Sequence, residues 1–481
     1  MLLMIQKKAI NKKILTEVTV ASAADKHRWV VCLLPVMMQL VIGSLVGLEP
    51  VTFPDSSSYI HFSDVRNVGY PYFIHGLFSL GGDLRTVVIA QHLLLVPATI
   101  YLTFSVLKLT DSNWMAASVA LLVLLNPFTI QFHNQILTES LFFSLSVIFL
   151  AALCQVSHNG DLRHAVVMGG ALALAIAIKP IAYAFLPIIP MMLWINWPLL
   201  KSRPVKFLLY ALMPVVAGLI AENLAHHYRH GQEARISLAP IHLFAKGSLV
   251  ASNGENPFEA DDPAYQLWQV VERDFAPVRD LIRSSPTLPA ESYLSAKYEV
   301  FAQYQFARQE IAQAADSAGI SSSEMMKKVG VERLLQNPLG YVRLVALNFY
   351  SVWTFYVASH PWSYAEINHY QEALMPLPFA EGAGFPEVIR PVKTAYIILP
   401  AIWSVAAAAL GVIVFGIISL LRGKEMTSRF RVMLTASLLM HGYCLLVALT
   451  GIGIARYALS LWPFMVMTSL LLVLQLHHKK R

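Results

Sequence analysis

Residues 137–156 read "LTESLFFSLSVIFLAALCQV", twenty positions that carry one charge, Glu139, near the start. Crossing a hydrocarbon core of about 30 Å takes about 20 apolar residues of helix, so this run has the length of one passage through a bilayer. Comparable runs recur at about 29–49, 86–107, 114–131, 165–178, 181–197, 206–223, 393–421, 432–451 and 457–476. The whole chain of 481 residues is 56% hydrophobic and 14% charged, with a mean hydropathy of +0.55. Soluble domains carry roughly 25% charged residues, so a soluble class is set aside. The expected fold class is an all-α polytopic membrane protein with about ten transmembrane helices, in a range of nine to twelve.

The net charge of +7 does not imply a nucleic-acid partner, because the basic residues flank apolar runs. Lys7, Lys8, Lys12, Lys13, Lys26 and Arg28 precede the first run, and Lys479, Lys480 and Arg481 follow the last. "KSRPVK" (201–206) and "RGKEMTSRFR" (422–431) are short basic loops. By the positive-inside rule these loops and both tails, 1–28 and 477–481, are expected on the cytoplasmic side. The first apolar run has a full span's length and lacks a small-residue cleavage site, so it is expected to stay as a helix rather than be removed as a signal peptide. Cys32, Cys154 and Cys444 all fall inside apolar runs and read as packing residues, not as a disulfide or thiolate metal set.

This topology divides the chain into a membrane core at 29–223 with an external loop at 50–85, an external region at 224–392, and C-terminal spans at 393–476. Residues 224–340 hold 14 of the 29 acidic residues and read as a water-facing, partly helical lid or small domain. "PLGYVRLVALNFYSVWTFYVA" (338–358) is apolar enough to span but breaks the parity, so it reads as an interfacial or re-entrant helix.

The polar residues that stand out gather at the external ends of the runs. "FPDSSSYIHFSDVRNVGYPYF" (53–73) places Asp55 a few residues past the first run, then Tyr59, Asp64 and Arg66. If 56–65 is a short helix, Asp55 and Tyr59 share a face. A partly desolvated carboxylate there suits a general base; the plainer reading is that Asp55 caps a helix. Glu139 at the start of its run is either functional or a helix-dipole charge. Lys179 in "AIAIKPIAYAF" (175–185) either serves the site or snorkels to the interface. Arg456 in "GIGIARYALSLWPF" (451–464) needs an anionic partner, for which a lipid phosphate, Glu139 or Asp55 would serve. The histidines of "LAHHYRHG" (224–231) and "LHHKKR" (476–481) lack a second set of ligands at metal spacing and read as interfacial and tail residues.

Together these features resemble the glycosyltransferase-C superfamily of membrane enzymes, which includes protein O-mannosyltransferases, aminoarabinose transferases and bacterial polyprenyl-phosphate-sugar-dependent transferases. The matching elements are "PDSSSY" with Asp55, the R-x-x-G-Y-P stretch from Arg66 to Pro71, "AQHLLL" with Gln91, "LLNPF" (124–128), "LTESLFF" (137–143), the K-P pair at 179–180 and the R-Y pair at 456–457. The resemblance covers about 29–223 and, more loosely, the last run; 224–340 carries no matching motif.

The resemblance implies transfer of a sugar from a polyprenyl-phosphate donor to a lipid, glycan or protein acceptor hydroxyl on the periplasmic side of a bacterial inner membrane. Asp55 is then the catalytic base, with Glu139, Tyr59 and Asp64 orienting the acceptor and Arg66, Lys179 and Arg456 binding the lipid phosphate. The first loop has no D-x-D or D-D pair, so no metal or other cofactor is expected. The alternative classes are a lipid or glycan transporter, whose site would lie at mid-bilayer, and an envelope polymerase or ligase, which would favour arginines in the large loop.

Overall fold

The structure is a computed structural model that describes residues 31–126, 130, 132–231, 237–285, 288–353, 395–453 and 455–478. The expected tail at 1–28, the end of the 338–358 segment from residue 354 with the remainder of the external region up to 392, and the final residues 479–481 lie outside the described part. Among the described residues the fold is all-α, and the β pairing is an isolated parallel bridge between Val51 and Gln135. Five helices are long and apolar enough to cross a membrane: Leu84–Thr110, Glu139–Asn159, Pro204–His230, Ala401–Leu421 and Ser428–Thr450. The other five expected runs fall on shorter apolar helices, Val31–Val46, Asn113–Leu124, Leu162–Ile178, Pro180–Ile195 and Trp462–His477.

Several boundaries move for local reasons. Asn113–Leu124 closes ahead of Asn126 and Pro127, since a residue before proline is driven out of the α region. The same effect acts at Lys179, whose backbone is extended (φ −145°, ψ 110°) before Pro180 and so separates Leu162–Ile178 from the 3₁₀ turn Pro180–Phe185. Pro204–His230 runs seven residues past the expected end at 223 and closes at Gly231, whose φ of +74° suits a residue without a Cβ.

The bundle packs closely where small residues let backbones meet. A Cβ on Gly169 would lie 2.1 Å from the Ala211 carbonyl oxygen, and one on Gly218 would lie 2.7 Å from the Ala173 Cβ. These contacts seat Leu162–Ile178 against Pro204–His230. Phe142, Phe149, Tyr443 and Phe464 surround Phe185 in an aromatic centre.

The two ends of the bundle differ. At one end Arg429 donates to the Thr110 carbonyl, Arg431 to the Ser157 carbonyl and Arg203 to the Gly160 carbonyl, so the two short basic loops close the C-terminal ends of Leu84–Thr110 and Glu139–Asn159. Cations satisfy the free carbonyls and the negative dipole there. The opposite end holds the 50–80 segment, Glu139 and Lys179.

Residues 237–285 and 288–353 form an outer helical unit with an apolar core of its own, built around Phe244, Trp268, Phe275, Phe306 and Met325. Pro263–Arg283 shows why: Ala264, Leu267, Trp268, Val271 and Phe275 recur at helical spacing and are buried, with Asp262 capping the start and Pro263 at its first position. Within this unit Glu272 accepts from both Arg333 and Arg279, and the Arg333 guanidinium lies over the Trp268 ring at 4.6 Å. Pro338–Trp353 packs against Ser428–Thr450 and the Ala455–Leu461 turn, joining the outer unit to the bundle.

Replacing Gly169 by Ala should destabilise the bundle by about 1–3 kcal/mol through overpacking. The adjacent Gly170, whose Cβ would meet nothing within 4 Å, should accept Ala without loss; thermal unfolding in one detergent checks both. A second test concerns acid. Burial raises the Glu272 carboxyl, but Arg333 and Arg279 outweigh it and hold it below the usual carboxylate range. A depressed carboxyl contributes stability above its unfolded value of about 4.3, and that contribution is lost as pH falls through the folded value. The protection of Pro263–Arg283 amides, relative to the intrinsic exchange rate at each pH, should therefore fall below about pH 4, and Glu272→Gln should flatten that dependence.

Candidate functional site

The loop after the first apolar helix is built around Asp55. Pro54–Ile60 is a short helix, one turn shorter and two residues earlier than expected, and it ends before Phe62, which sits in the left-handed region at φ 57°. Asp55 is not the cap: Phe53 occupies that position, and its amide donates to the Ser56 hydroxyl at 2.8 Å. The carboxylate lies instead in the first turn and accepts from Arg66 Nη2 at 2.7 Å. Arg66 also donates to Ser58 Oγ at 2.9 Å and lies over the Tyr59 ring at 4.8 Å. Asp55 and Tyr59, four apart on the helix, thus meet the same guanidinium. Arg66 holds an acidic side chain of its own loop, where the sequence reading assigns it to a lipid phosphate.

Gly69 seats this loop on the bundle, since a Cβ there would lie 2.6 Å from the Ala177 carbonyl oxygen. Asn67 Nδ2 donates to the Ile176 carbonyl at 2.6 Å and the Val68 amide to Glu222 Oε1 at 3.3 Å. The loop is therefore fixed two to three residues from Lys179.

Glu139 begins the Glu139–Asn159 helix and is buried, with 5% of its side chain exposed. Its Oε1 is 2.8 Å from Lys179 Nζ, and its Oε2 accepts from the Thr138 hydroxyl at 3.2 Å. The extended backbone that Pro180 imposes turns Lys179 inward at the end of its helix. Its side chain is 11% exposed and does not snorkel. The ammonium also faces the rings of Tyr457 at 4.9 Å and Phe142 at 5.9 Å.

Tyr59 and Tyr70 stand between the two pairs, edge to face at 5.2 Å. Burial pushes the Tyr70 phenol well above its ordinary range, and the charges of Tyr59 and Glu139 add to the effect. Tyr70 donates to Gln91 Oε1 at 2.8 Å, and Gln91 Nε2 donates to the carbonyls of His133 and Gln135. Ser56 Oγ donates to the Ile136 carbonyl at 2.9 Å. Gln91 thereby ties the Asp55 loop to the strand-like segment that leads into Glu139. Only the "AQHLLL" element of the resemblance marked it in the sequence; its double use of one amide is a tertiary fact.

Asp64 stands apart. Its carboxylate accepts from the neighbouring Ser63 hydroxyl at 3.4 Å, and its backbone carbonyl meets His226 at 3.2 Å. Arg456 lies in the 3₁₀ turn Ala455–Leu461, one residue before Tyr457; its side chain is outside the described part. A surface depression of about 790 Å³ on the outer unit, lined by Tyr265, Trp268, Gln269 and Glu272 among others, includes no residue of the Asp55–Arg66 or Glu139–Lys179 pair.

Breaking the buried pair should cost more than removing it. Glu139→Gln or Lys179→Met alone should destabilise the fold by about 3–5 kcal/mol, whereas the double variant should recover most of that loss; denaturant unfolding of the three variants in detergent checks the difference. Compared with protein-family models, curated proteins and solved structures, the chain matches none.

Proposed function

We propose that the chain is an integral-membrane glycosyltransferase that moves a sugar from a polyprenyl-phosphate donor to an acceptor hydroxyl at the external, periplasmic face of a bacterial inner membrane. The observation that carries this reading is the meeting, at the bundle end opposite the basic loops, of the pairs Asp55–Arg66 and Glu139–Lys179 with the Tyr59–Tyr70 rings between them. Carboxylates and cations at the edge of an apolar bundle suit a substrate that is part lipid and part sugar.

In this mechanism the acceptor oxygen attacks the anomeric carbon, the bond from that carbon to the phosphate oxygen breaks, and the electron pair leaves with the polyprenyl phosphate. Asp55 takes the acceptor's proton, and Arg66 orients the carboxylate for it. Lys179, held by Glu139, stabilises the negative charge that grows on the departing phosphate, the type of preorganised electrostatic term that usually dominates. Arg456 shares that role from the turn beside Tyr457. Direct displacement inverts the anomeric centre.

The test uses purified protein in nanodiscs with a labelled polyprenyl-phosphate sugar, after mass spectrometry of envelope glycans with and without the gene has identified the sugar. Asp55→Asn should lower the rate of transfer by about 10²–10⁴-fold, the usual worth of a general base, with donor binding retained. Transfer at the wild-type rate would remove Asp55 from the chemistry, and unchanged glycans in the deletion would remove the enzyme reading.

A further inference from the structure

Lys246 is a second buried cation that the proposed chemistry does not use. It sits in Ala239–Leu249 of the outer unit and is 1% exposed. Its ammonium donates to the carbonyls of Ala448 at 3.2 Å and Gly451 at 2.8 Å, and lies 3.0 Å from Glu299 Oε1. The carbonyls belong to the C-terminal end of Ser428–Thr450, where helical backbone lacks partners and carries the negative end of the dipole. Glu299, fully buried on Leu288–Tyr304, also accepts from Asn348 Nδ2 at 3.2 Å.

Contacts from the same unit continue along the chain. Tyr341 donates to the Leu449 carbonyl and Ser351 to the Gly453 carbonyl. Gly453 runs so close to Pro338–Trp353 that a Cβ would lie 2.9 Å from the Asn348 backbone. Ala296 and Val300 pack on Ile452 and Tyr457, and the Tyr457 ring faces Lys179.

We infer that Lys246 is a positioning residue: paired with Glu299, it clamps residues 448–453 and so sets the following turn, which presents Tyr457 to Lys179 and carries Arg456. The outer unit is on this account a structural part of the membrane-end site, not a detachable lid. What the turn does in catalysis rests on the glycosyl-transfer reading; what holds it in place does not.

The test is the full chain in nanodiscs, as wild type, as Lys246→Met and as the double variant Lys246→Met, Glu299→Leu. Removing both charges leaves no uncompensated buried ion, so the double variant keeps its fold while the carbonyls lose their cation. Amide exchange across 451–461 should rise about tenfold or more in it, with the Pro263–Arg283 helix unchanged. Transfer should lose about 100-fold in kcat, the scale of a misplacement near 1 Å, with the KM for donor little changed.

Exchange equal to wild type across 451–461 would overturn the clamp. Faster exchange with undiminished kcat would overturn the positioning role. Faster exchange in a chain whose wild type transfers no sugar would uphold the clamp and sink the transfer reading alone.

Discussion

A carboxylate at the start of an apolar helix must find a cation, and in this chain that need organises one end of the molecule. Glu139 opens a helix whose remaining residues are almost entirely buried, and Lys179 is the group that answers it. Neither side chain can leave without exposing the other to an apolar surrounding, so the start of Glu139–Asn159 and the end of Leu162–Ile178 are tied together. Pro180 makes the tie geometrically available by forcing Lys179 out of the helix. Tyr457 comes over the ammonium from a third element, and the Asp55 loop seats itself within three residues of Lys179 through Asn67 and Gly69.

The second pair, Asp55–Arg66, obeys a looser constraint. Its members are a quarter to a third exposed, and both belong to one loop, so each supports the other's orientation without anchoring distant elements. In the proposed reaction this difference becomes a division of labour, in which one pair is structural and electrostatic and the other meets water and an incoming hydroxyl. Tyr59 lies under the Arg66 guanidinium and meets Tyr70 edge to face, and the buried Tyr70 hydroxyl still finds a polar partner at Gln91.

The outer helical unit repeats the theme of buried charge. Arg333, Arg279 and Glu272 hold its interior, and Lys246 with Glu299 holds it to the bundle. Burial pushes the Arg333 guanidinium down to about 10, still high enough to stay charged in neutral water. Such networks contribute little net stability when complete but penalise every arrangement that leaves a member unpaired.

The all-α class, the ten apolar runs and the grouping of acidic and basic residues near their ends were legible from composition and run length, because a bilayer imposes a length and a hydropathy on each crossing helix independent of its neighbours. Asp55, Glu139 and Lys179 stood out for the same reason: a charge beside an apolar run is visible in one dimension. Who pairs with whom was not legible. Arg66 turned to Asp55, Lys179 to Glu139, the Asp64 carboxylate to the hydroxyl of its neighbour Ser63, and Lys246 and Glu299 lay inside a stretch without a recognisable motif. Partners separated by 40 or 53 positions, as in Glu139–Lys179 and Lys246–Glu299, are chosen by helix packing, which depends on where small residues such as Gly169 and Gly453 let backbones approach. The sequence by itself determined where the apolar helical runs lie and which charges must be answered; only the tertiary structure decided the answers, because an ion pair is a matter of distance in space and not along the chain.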